Sequence, residues 1–258
     1  MIRSILALAI LFMGMEVASA RDGDTAPVDT VRIVTRHDHD VGAYTQGLFV
    51  RNGRLYESTG MKGRSEIREI RLSDGKVMKR QPLPADIFGE GSTDWKDEII
   101  SVSWRDGVGY RWRLSDLKRR SSFRYEGEGW GLTRSDSELV MSDGSSHLRF
   151  LDPLTFKEVR RIEVRDGSTP ISNLNELEWI NGEIWANVWM TGVIARIDPN
   201  TGQIRRWVDI SSLARLQPPM ARDAVPNGIA WDRRTGRIYV TGKNWPSLYA
   251  IEIVSDVR

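Results

Sequence analysis

The chain has 258 residues and no cysteine, which excludes disulfide bonds, thiol nucleophiles and thiolate metal ligands. Its 37 Lys and Arg residues nearly balance 35 Asp and Glu, for a formal net charge of +2. The basic residues form short clusters separated by acidic residues, which favours solvated outer strands and turns over a nucleic-acid-binding patch.

Residues 1–20 are typical of a secretory signal peptide. Arg3 supplies a charged start, residues 5–13 are apolar, and residues 18–20 read Ala-Ser-Ala, a small-residue cleavage site. The apolar part is short for a bilayer span, although a retained N-terminal anchor is the alternative. We therefore predict a signal peptide over 1–20, a leader over 21–30, and export to the periplasm or the medium without stable membrane association.

Five similar segments recur along the rest of the chain, each rich in β-branched and aromatic residues. Their starts lie roughly 40 to 55 residues apart, which is the period of a propeller blade. A Gly or Asp turn precedes most of them, so they are predicted to be strands. The five segments are residues 54–60, 98–104, 138–144, 183–189 and 237–243.

A second set of matched segments precedes these strands, and third and fourth strands follow. These leading segments are residues 45–48, 89–92, 129–132, 174–177 and 226–229. The last copy lacks its fourth strand, and residues 31–35 form an orphan strand that can complete it and protect two sheet edges. We therefore predict an all-β fold over residues 31–258. It is a single-domain, five-bladed β-propeller of four-stranded antiparallel blades, with the ring closed by the N-terminal strand.

The leading segments carry unusual polar residues. In a propeller the first strand of every blade lines the central channel, so residues at equivalent positions meet at one mouth of it. Glycines beside them permit close backbone approach, and burying the polar groups costs free energy unless they are satisfied or used. The converging set comprises Gln46, Glu90, Trp130, Asn175 with Glu176, and Asn227. Glu178 alternates with Glu176, and the sequence leaves open whether it faces the same way or pairs with an Arg or Lys side chain.

Residues at the ends of neighbouring strands supply a second layer. Trp104, Trp189 and Lys243 end their segments at matching positions, and Tyr44 and Phe88 come before the leading polar residues. The sequence thus predicts a pocket with aromatic walls, one lysine, one or two carboxylates and several amides.

Several familiar chemistries find no support in the sequence. Histidine is scarce, and residues 37–40 (His-Asp-His-Asp) are better explained as a strand leading into a loop than as a metal cluster. The chain has no serine-elbow pattern and no Gly-rich phosphate loop between a strand and a helix. An enzyme that uses a nucleotide or transfers a hydride is therefore not expected.

At these residues the sequence resembles the plant and bacterial type of glutaminyl cyclase, or glutaminyl-peptide cyclotransferase. The resemblance extends over about residues 31–254, and its motifs are specific as a set rather than singly. They include residues 44–48 (Tyr-Thr-Gln-Gly-Leu), 88–91 (Phe-Gly-Glu-Gly), 129–132 (Gly-Trp-Gly-Leu), 174–178 (Leu-Asn-Glu-Leu-Glu), 185–189 (Trp-Ala-Asn-Val-Trp) and 240–246 (Val-Thr-Gly-Lys-Asn-Trp-Pro).

The resemblance implies conversion of the N-terminal glutamine of a peptide or protein to pyroglutamate with release of ammonia. Glu90 matches the family's catalytic carboxylate, and Asn175 and Lys243 match active-site positions suited to binding the γ-carbonyl. The residues then expected to bind and enclose the glutamine are Tyr44, Gln46, Phe88, Trp104, Trp130 and Trp189. We expect a monomer that needs no cofactor for catalysis, while a structural calcium ion in the channel stays open.

Two alternatives of a different class stay open. The first alternative is a metal-dependent, lactonase-type propeller hydrolase. It is suggested by side-chain oxygens that suit calcium, those of Glu90, Asn175, Glu176 and Asn227. The second is a non-catalytic periplasmic propeller that captures protein N-termini. Chelation separates the lactonase from the cyclase, and turnover of a Gln-initiated dipeptide eliminates the binding module.

Overall fold

The computed structural model describes residues 25–218 and 221–255. The predicted signal peptide over 1–20 and the start of the leader lie outside the described residues. Within the described ranges, no helix is long and apolar enough to cross a membrane. Nearly all regular structure is β-strand, so the protein is all-β, as the sequence predicted.

Three four-stranded sheets follow one another along the chain. The first contains β2 (Thr45–Arg51), β3 (Arg54–Thr59), β4 (Glu66–Arg71) and β5 (Lys76–Pro82). The second contains β6 (Gly89–Trp95), β7 (Glu98–Ser103), β8 (Val108–Arg113) and β9 (Arg119–Arg124). The third contains β10 (Leu132–Arg134), β11 (Leu139–Ser142), β12 (His147–Leu151) and β13 (Glu158–Glu163). Consecutive strands pair antiparallel, which confirms the predicted four-stranded antiparallel unit.

An eight-stranded sheet holds most of the remaining strands, with β1 (Val28–Asp38) in its middle. On one side lie β16 (Leu174–Ile180), β17 (Glu183–Val188), β18 (Val193–Ile197) and β19 (Ile204–Asp209). On the other side lie β22 (Ser247–Val254), β21 (Arg237–Gly242) and β20 (Pro226–Asp232). β1 pairs antiparallel with β22 and, at its start, parallel with β19. The sequence predicted a shorter N-terminal strand, residues 31–35, and only its pairing with the last copy.

Two small elements were not predicted from the sequence. A short hairpin of β14 (Arg165–Asp166) and β15 (Thr169–Pro170) precedes β16, and a short helix, α1 (Ser211–Arg215), follows β19. Asp166 in the hairpin accepts hydrogen bonds from the Ala26 N–H (2.7 Å) and the Trp207 indole N–H (2.9 Å). The hairpin therefore ties the segment before β1 to β19.

The first strands of the sheets contact one another in cyclic order: β2 with β6, β6 with β10, β10 with β16, β16 with β20, and β20 with β2. Glycines make this approach possible. A Cβ atom on Gly47, Gly91 or Gly131 would overlap backbone atoms of the neighbouring first strand. The Gly91 N–H also donates to the Trp130 carbonyl oxygen across the gap (2.6 Å). The predicted close backbone approach at these glycines is confirmed.

Buried apolar side chains fill the spaces between neighbouring sheets. Val102 of β7, for example, belongs to one buried cluster with Met141 of β11 and Leu151 of β12. Burying such side chains supplies the main free energy that holds sheet against sheet. Because each sheet is fixed against the next, the N-terminal ends of the first strands are held together at one place.

Candidate active site

A cavity of about 310 Å³ lies at the N-terminal ends of the first strands. It contains all nine residues that the sequence analysis proposed for catalysis and substrate binding, together with Arg105. The nine are Tyr44, Gln46, Phe88, Glu90, Trp104, Trp130, Asn175, Trp189 and Lys243. Residues separated by up to 199 positions in the chain, from Tyr44 to Lys243, therefore meet around one space.

β-Bulges aim the polar side chains of this cavity. In β2, β6 and β16 the register with the second strand shifts at the position of the polar residue, which is Gln46, Glu90 or Asn175. A bulge adds a residue to one strand and redirects side chains out of the regular alternation. The three polar side chains therefore reach the cavity instead of following the pleat of their strands.

Backbone hydrogen bonds hold the residue that follows the second strand at equivalent positions in three sheets. The N–H of Trp104 donates to the carbonyl oxygen of Phe88 (3.0 Å), and the N–H of Trp189 donates to that of Asn173 (2.8 Å). The N–H of Lys243 makes the corresponding bond to the residue before β20 (3.0 Å). In each case the acceptor lies two positions before the polar residue of the first strand, which is Glu90, Asn175 or Asn227. The repeat therefore places the three side chains at matching points around the cavity.

Aromatic rings form most of the cavity wall. The rings of Tyr44 and Phe88 meet edge to face at a centroid distance of 6.2 Å, and those of Phe88 and Trp104 lie 5.5 Å apart. Trp130 and Trp189 meet edge to face at 5.8 Å. Such pairs gain more than their buried area alone supplies. The wall is therefore a connected aromatic surface with two parts.

Glu128 joins the two parts of the wall. Its Oε2 atom accepts hydrogen bonds from the indole N–H groups of Trp104 (2.8 Å) and Trp130 (2.9 Å). Its Oε1 atom accepts a hydrogen bond from Nε of Arg105 (2.9 Å), and that guanidinium lies 3.8 Å from the Trp104 ring centroid. Sequence reasoning missed Glu128 and Arg105. For Glu128, a signal was present in the sequence: a charged residue between two glycines (residues 127–129) just before Trp130.

Glu90 is the buried carboxyl group of the cavity, with 5 % of its surface exposed. Its Oε1 atom accepts a hydrogen bond from Nε2 of Gln46 (2.9 Å), whose own Oε1 accepts one from Asn227 (3.2 Å). Burial raises the pKa of Glu90 well above its usual value; the charge of Lys243 opposes this shift and that of Glu128 adds to it. A carboxyl group with a raised pKa can both accept and donate a proton near neutral pH.

Lys243 and Asn175 keep hydrogen-bonding capacity for a ligand. Lys243 is buried, and burial lowers its pKa against the opposing charges of Glu90 and Asp223. Its Nζ atom lies 4.7 Å from the Tyr44 ring centroid. Asn175 Oδ1 is buried without a hydrogen-bond partner among the described residues. A polar substrate group can therefore bind here without breaking an internal hydrogen bond.

Two residues of the expected converging set, Glu176 and Asn227, do not line the cavity. Glu176 is fully buried, and its two oxygens accept the backbone N–H groups of Leu48 (3.1 Å) and Ile229 (2.8 Å). It thereby joins β16 to β2 and β20 and does not line the cavity. Asn227 lies behind the cavity lining, and Glu178 lines a separate cavity at the other end of β16. The expectation that Glu176 shares the mouth with Glu90 is wrong, because both its oxygens bond the backbone of other first strands. Asn227 does not line the cavity but is joined to Glu90 through its hydrogen bond to Gln46.

Of the oxygen atoms proposed for calcium, some are engaged within the protein, whereas Oδ1 of Asn175 and Oδ1 of Asn227 are buried without a hydrogen-bond partner among the described residues. Both oxygens of Glu176 are occupied by backbone N–H groups, and one oxygen of Glu90 by Gln46. In residues 25–218 and 221–255, no group of three or more His, Cys, Asp or Glu side chains is arranged to hold a metal ion. His39, in the His-Asp segment where β1 ends, bonds Glu57 (3.1 Å) and the Trp245 carbonyl oxygen (2.7 Å).

Comparisons with known proteins show which family the chain belongs to. A sequence model of the family "Glutamine cyclotransferase" matches residues 5–253. An Arabidopsis thaliana protein named glutaminyl-peptide cyclotransferase is 39% identical over 230 residues, which cover 88% of this chain and 72% of that protein. The crystal structure of Myxococcus xanthus glutaminyl cyclase superposes with a TM-score of 0.85 at 33% identity, covering 89% of this chain and 99% of that one. The chain therefore belongs to the glutamine cyclotransferase family.

Proposed function

We propose that this chain is a glutaminyl-peptide cyclotransferase, which converts the N-terminal glutamine of peptides and proteins to pyroglutamate and ammonia. The observation that carries the proposal is Glu90, a buried carboxyl group in an aromatic-walled cavity of a glutamine cyclotransferase family member. The Arabidopsis relative bears the same activity in its name.

The reaction is an intramolecular acyl transfer. The neutral α-amine of the first residue attacks the γ-carboxamide carbon of the same residue, and a new C–N bond closes a five-membered ring. The bond from that carbon to the amide nitrogen then breaks, and the nitrogen leaves as ammonia. One proton must move from the attacking nitrogen to the departing one, so the reaction needs a group that accepts and then donates it.

Glu90 is the group suited to this proton shuttle. Its burial raises its pKa toward the working range, which is the condition for efficient transfer in both directions. The Gln46 amide donates to Oε1 of Glu90 and fixes the carboxyl plane, while Oε2 makes no hydrogen bond to the described residues. That free oxygen is the one that takes the proton from the substrate amine.

Lys243 and Asn175 are suited to hold the γ-carbonyl oxygen. As the amine attacks, negative charge develops on that oxygen, and donors held in place stabilise it most effectively in a site that excludes water. The buried ammonium of Lys243 and the Nδ2 group of Asn175 are such donors, whereas the unpaired Oδ1 of Asn175 is an acceptor suited to an N–H group of the substrate. Their roles are electrostatic, whereas Glu90 moves the proton.

The aromatic wall supplies orientation. Amine and amide already belong to one residue, so the enzyme gains rate by holding the curled side-chain conformation in which the two groups meet. Four rings of the wall line the cavity, those of Phe88, Trp104, Trp130 and Trp189. They enclose the methylene part of glutamine and limit the entry of water, which would otherwise compete as a nucleophile.

The decisive assay is turnover of a Gln-initiated dipeptide with measurement of ammonia and of the pyroglutamyl product. We expect turnover that survives a chelator, since the proposed steps use only side chains of the chain itself. Binding without turnover would identify a capture module instead. Loss of turnover on chelation, restored by calcium, would identify a metal-dependent mechanism.

The proposed architecture is a single five-bladed propeller over residues 31–258, closed by the N-terminal strand. The cyclic contacts between first strands and the position of β1 between β19 and β22 support it. A cysteine pair at Val31 and Ile253, which face each other across β1 and β22, tests closure in this cysteine-free chain. The oxidised pair should raise the unfolding midpoint relative to the reduced pair, and an unchanged midpoint would count against closure.

Export and a monomeric state complete the proposal. The charged start, apolar stretch and Ala-Ser-Ala sequence of residues 1–20 support a cleaved signal peptide. N-terminal sequencing of protein recovered from the periplasm and the medium should place cleavage after Ala20. Light scattering on the purified protein should give the mass of one chain, and a larger mass would contradict the monomer.

A further inference from the structure

Arg105 lies at the outer edge of the active-site cavity. Two cations line that cavity, and they differ in exposure: Lys243 is buried, whereas the Arg105 side chain is 65% exposed. A glutamine bound beside Glu90 must send the rest of its peptide out through the open side. Arg105 is therefore placed to contact the peptide beyond its first residue.

Two contacts hold the Arg105 guanidinium in place and leave its two terminal nitrogens free. It stacks over the Trp104 ring at 3.8 Å, and its Nε atom donates to Glu128 Oε1 (2.9 Å). Within the described ranges, its two terminal nitrogens donate no hydrogen bond to the protein. A stacked guanidinium with a free pair of N–H donors matches the geometry of a carboxylate.

We propose that Arg105 forms a subsite for the second residue of the peptide, and that this subsite favours glutamate or aspartate there. The proposal rests on the proposed cyclase activity, which requires the first residue to lie beside Glu90. Two carboxylates at this cavity, those of Glu128 and Asp223, could repel an acidic side chain, but neither bonds the two terminal nitrogens of Arg105. Glu128 has both oxygens engaged, by the two indoles and by Arg105 itself, and Asp223 lies on the Tyr44 side of the cavity.

The test compares two amidated dipeptides of nearly equal size, Gln-Glu-NH₂ and Gln-Gln-NH₂, by kcat/KM for ammonia release. In the unmodified enzyme we expect the acidic peptide to be favoured about three- to fivefold, the range of an exposed ion pair. Arg105→Gln should bring the ratio to about one, and Arg105→Glu should reverse it. Arg119→Gln, which removes the same charge from the exposed face of β9, is the matched control and should keep the ratio.

The dependence of the kcat/KM ratio on salt concentration is an independent test of the subsite. An exposed ion pair is screened, so the preference should vanish at about 1 M salt, where the Debye length is about 3 Å. Equal ratios in the unmodified enzyme and in Arg105→Gln would overturn the subsite while the cyclase activity stood. Absence of ammonia from both peptides with the unmodified enzyme would overturn the proposed function, and the subsite with it.

Discussion

The two ends of the first strands carry polar groups that are paired in opposite ways. At the C-terminal ends, around a cavity of about 170 Å³, Asp94 accepts hydrogen bonds from Arg51 (2.8 Å) and from two nitrogens of Arg134 (both 3.0 Å). At the N-terminal ends, Glu90 accepts one from the neutral amide of Gln46, and Lys243 forms no ion pair within the described ranges. We call these the Asp94 end and the Glu90 end.

The difference teaches that charge and a shifted pKa do not by themselves mark the active site. At the Asp94 end, burial raises the pKa of Glu178 to about 8, yet its oxygens already accept the Trp231 N–H (2.9 Å) and the Thr133 hydroxyl (3.3 Å). Perturbed groups occur in structural networks as well as in catalytic sites. What distinguishes the Glu90 end is a buried carboxyl group and a buried lysine that form no ion pair among the described residues, beside connected aromatic walls.

The largest expected effect follows from removing the carboxyl group at the Glu90 end. Glu90→Gln should lower kcat/KM for a Gln dipeptide by about 10³-fold, because an amide of the same shape cannot carry the proton. Thermal unfolding followed by circular dichroism should show an intact fold. Full activity in this variant would contradict the proposed mechanism.

The matching change at the Asp94 end should have the reverse profile. Asp94→Asn removes the buried carboxylate that the guanidinium groups of Arg51 and Arg134 share, so urea unfolding should show a loss of about 1–3 kcal/mol. Because Asp94 lies at the far ends of the strands, kcat/KM should stay within about twofold of the original value. A large loss of activity without a loss of stability would remove the distinction between the two ends.

A smaller effect is expected at Glu128, a positioning residue. Glu128→Ala frees the indoles of Trp104 and Trp130, which should lower kcat/KM about tenfold and change the tryptophan fluorescence. Glu128→Gln keeps an acceptor and should recover part of the activity. Because the charge of Glu128 raises the pKa of Glu90, this neutral variant should also move the acid limb of the kcat/KM profile to lower pH.

The control for Glu128 is Glu126→Gln, an exposed neighbour in the same loop that changes charge equally. It should leave kinetics and fluorescence unchanged. Glu128→Ala with unaltered kinetics and fluorescence would show that the indole walls do not depend on this carboxylate.

The smallest effect concerns the pH dependence of stability at the Asp94 end. Glu178 has a folded-state pKa of about 8 against an ordinary value of 4.5, so the folded state binds its proton more tightly than the unfolded chain. Its contribution to stability is therefore complete below about pH 4.5 and is lost as pH rises to about 8. Urea unfolding at several pH values should show a weaker decline over this window in Glu178→Gln. Equal slopes in both proteins would contradict the raised pKa.

Much of the fold could be predicted because it is repeated locally. Strand segments, turn residues and their spacing are read along the chain, and the same four-stranded unit follows from each copy. The nine cavity residues were found in the same way, since they occupy matching positions in different copies. The family resemblance added which of them match catalytic positions.

The sequence by itself determined the repeated antiparallel unit and nine of the residues that meet at the Glu90 end, because both follow from local pattern. Only the tertiary structure decided which neighbouring polar residue faces the cavity. Asn175 and Glu176 are adjacent, yet a bulge sends the first to the cavity and the second to the N–H groups of β2 and β20. Side-chain direction depends on register between paired strands, where a shift of one residue reverses the face. The contacts of Glu128 and Arg105 likewise arise only when separate loops are packed together.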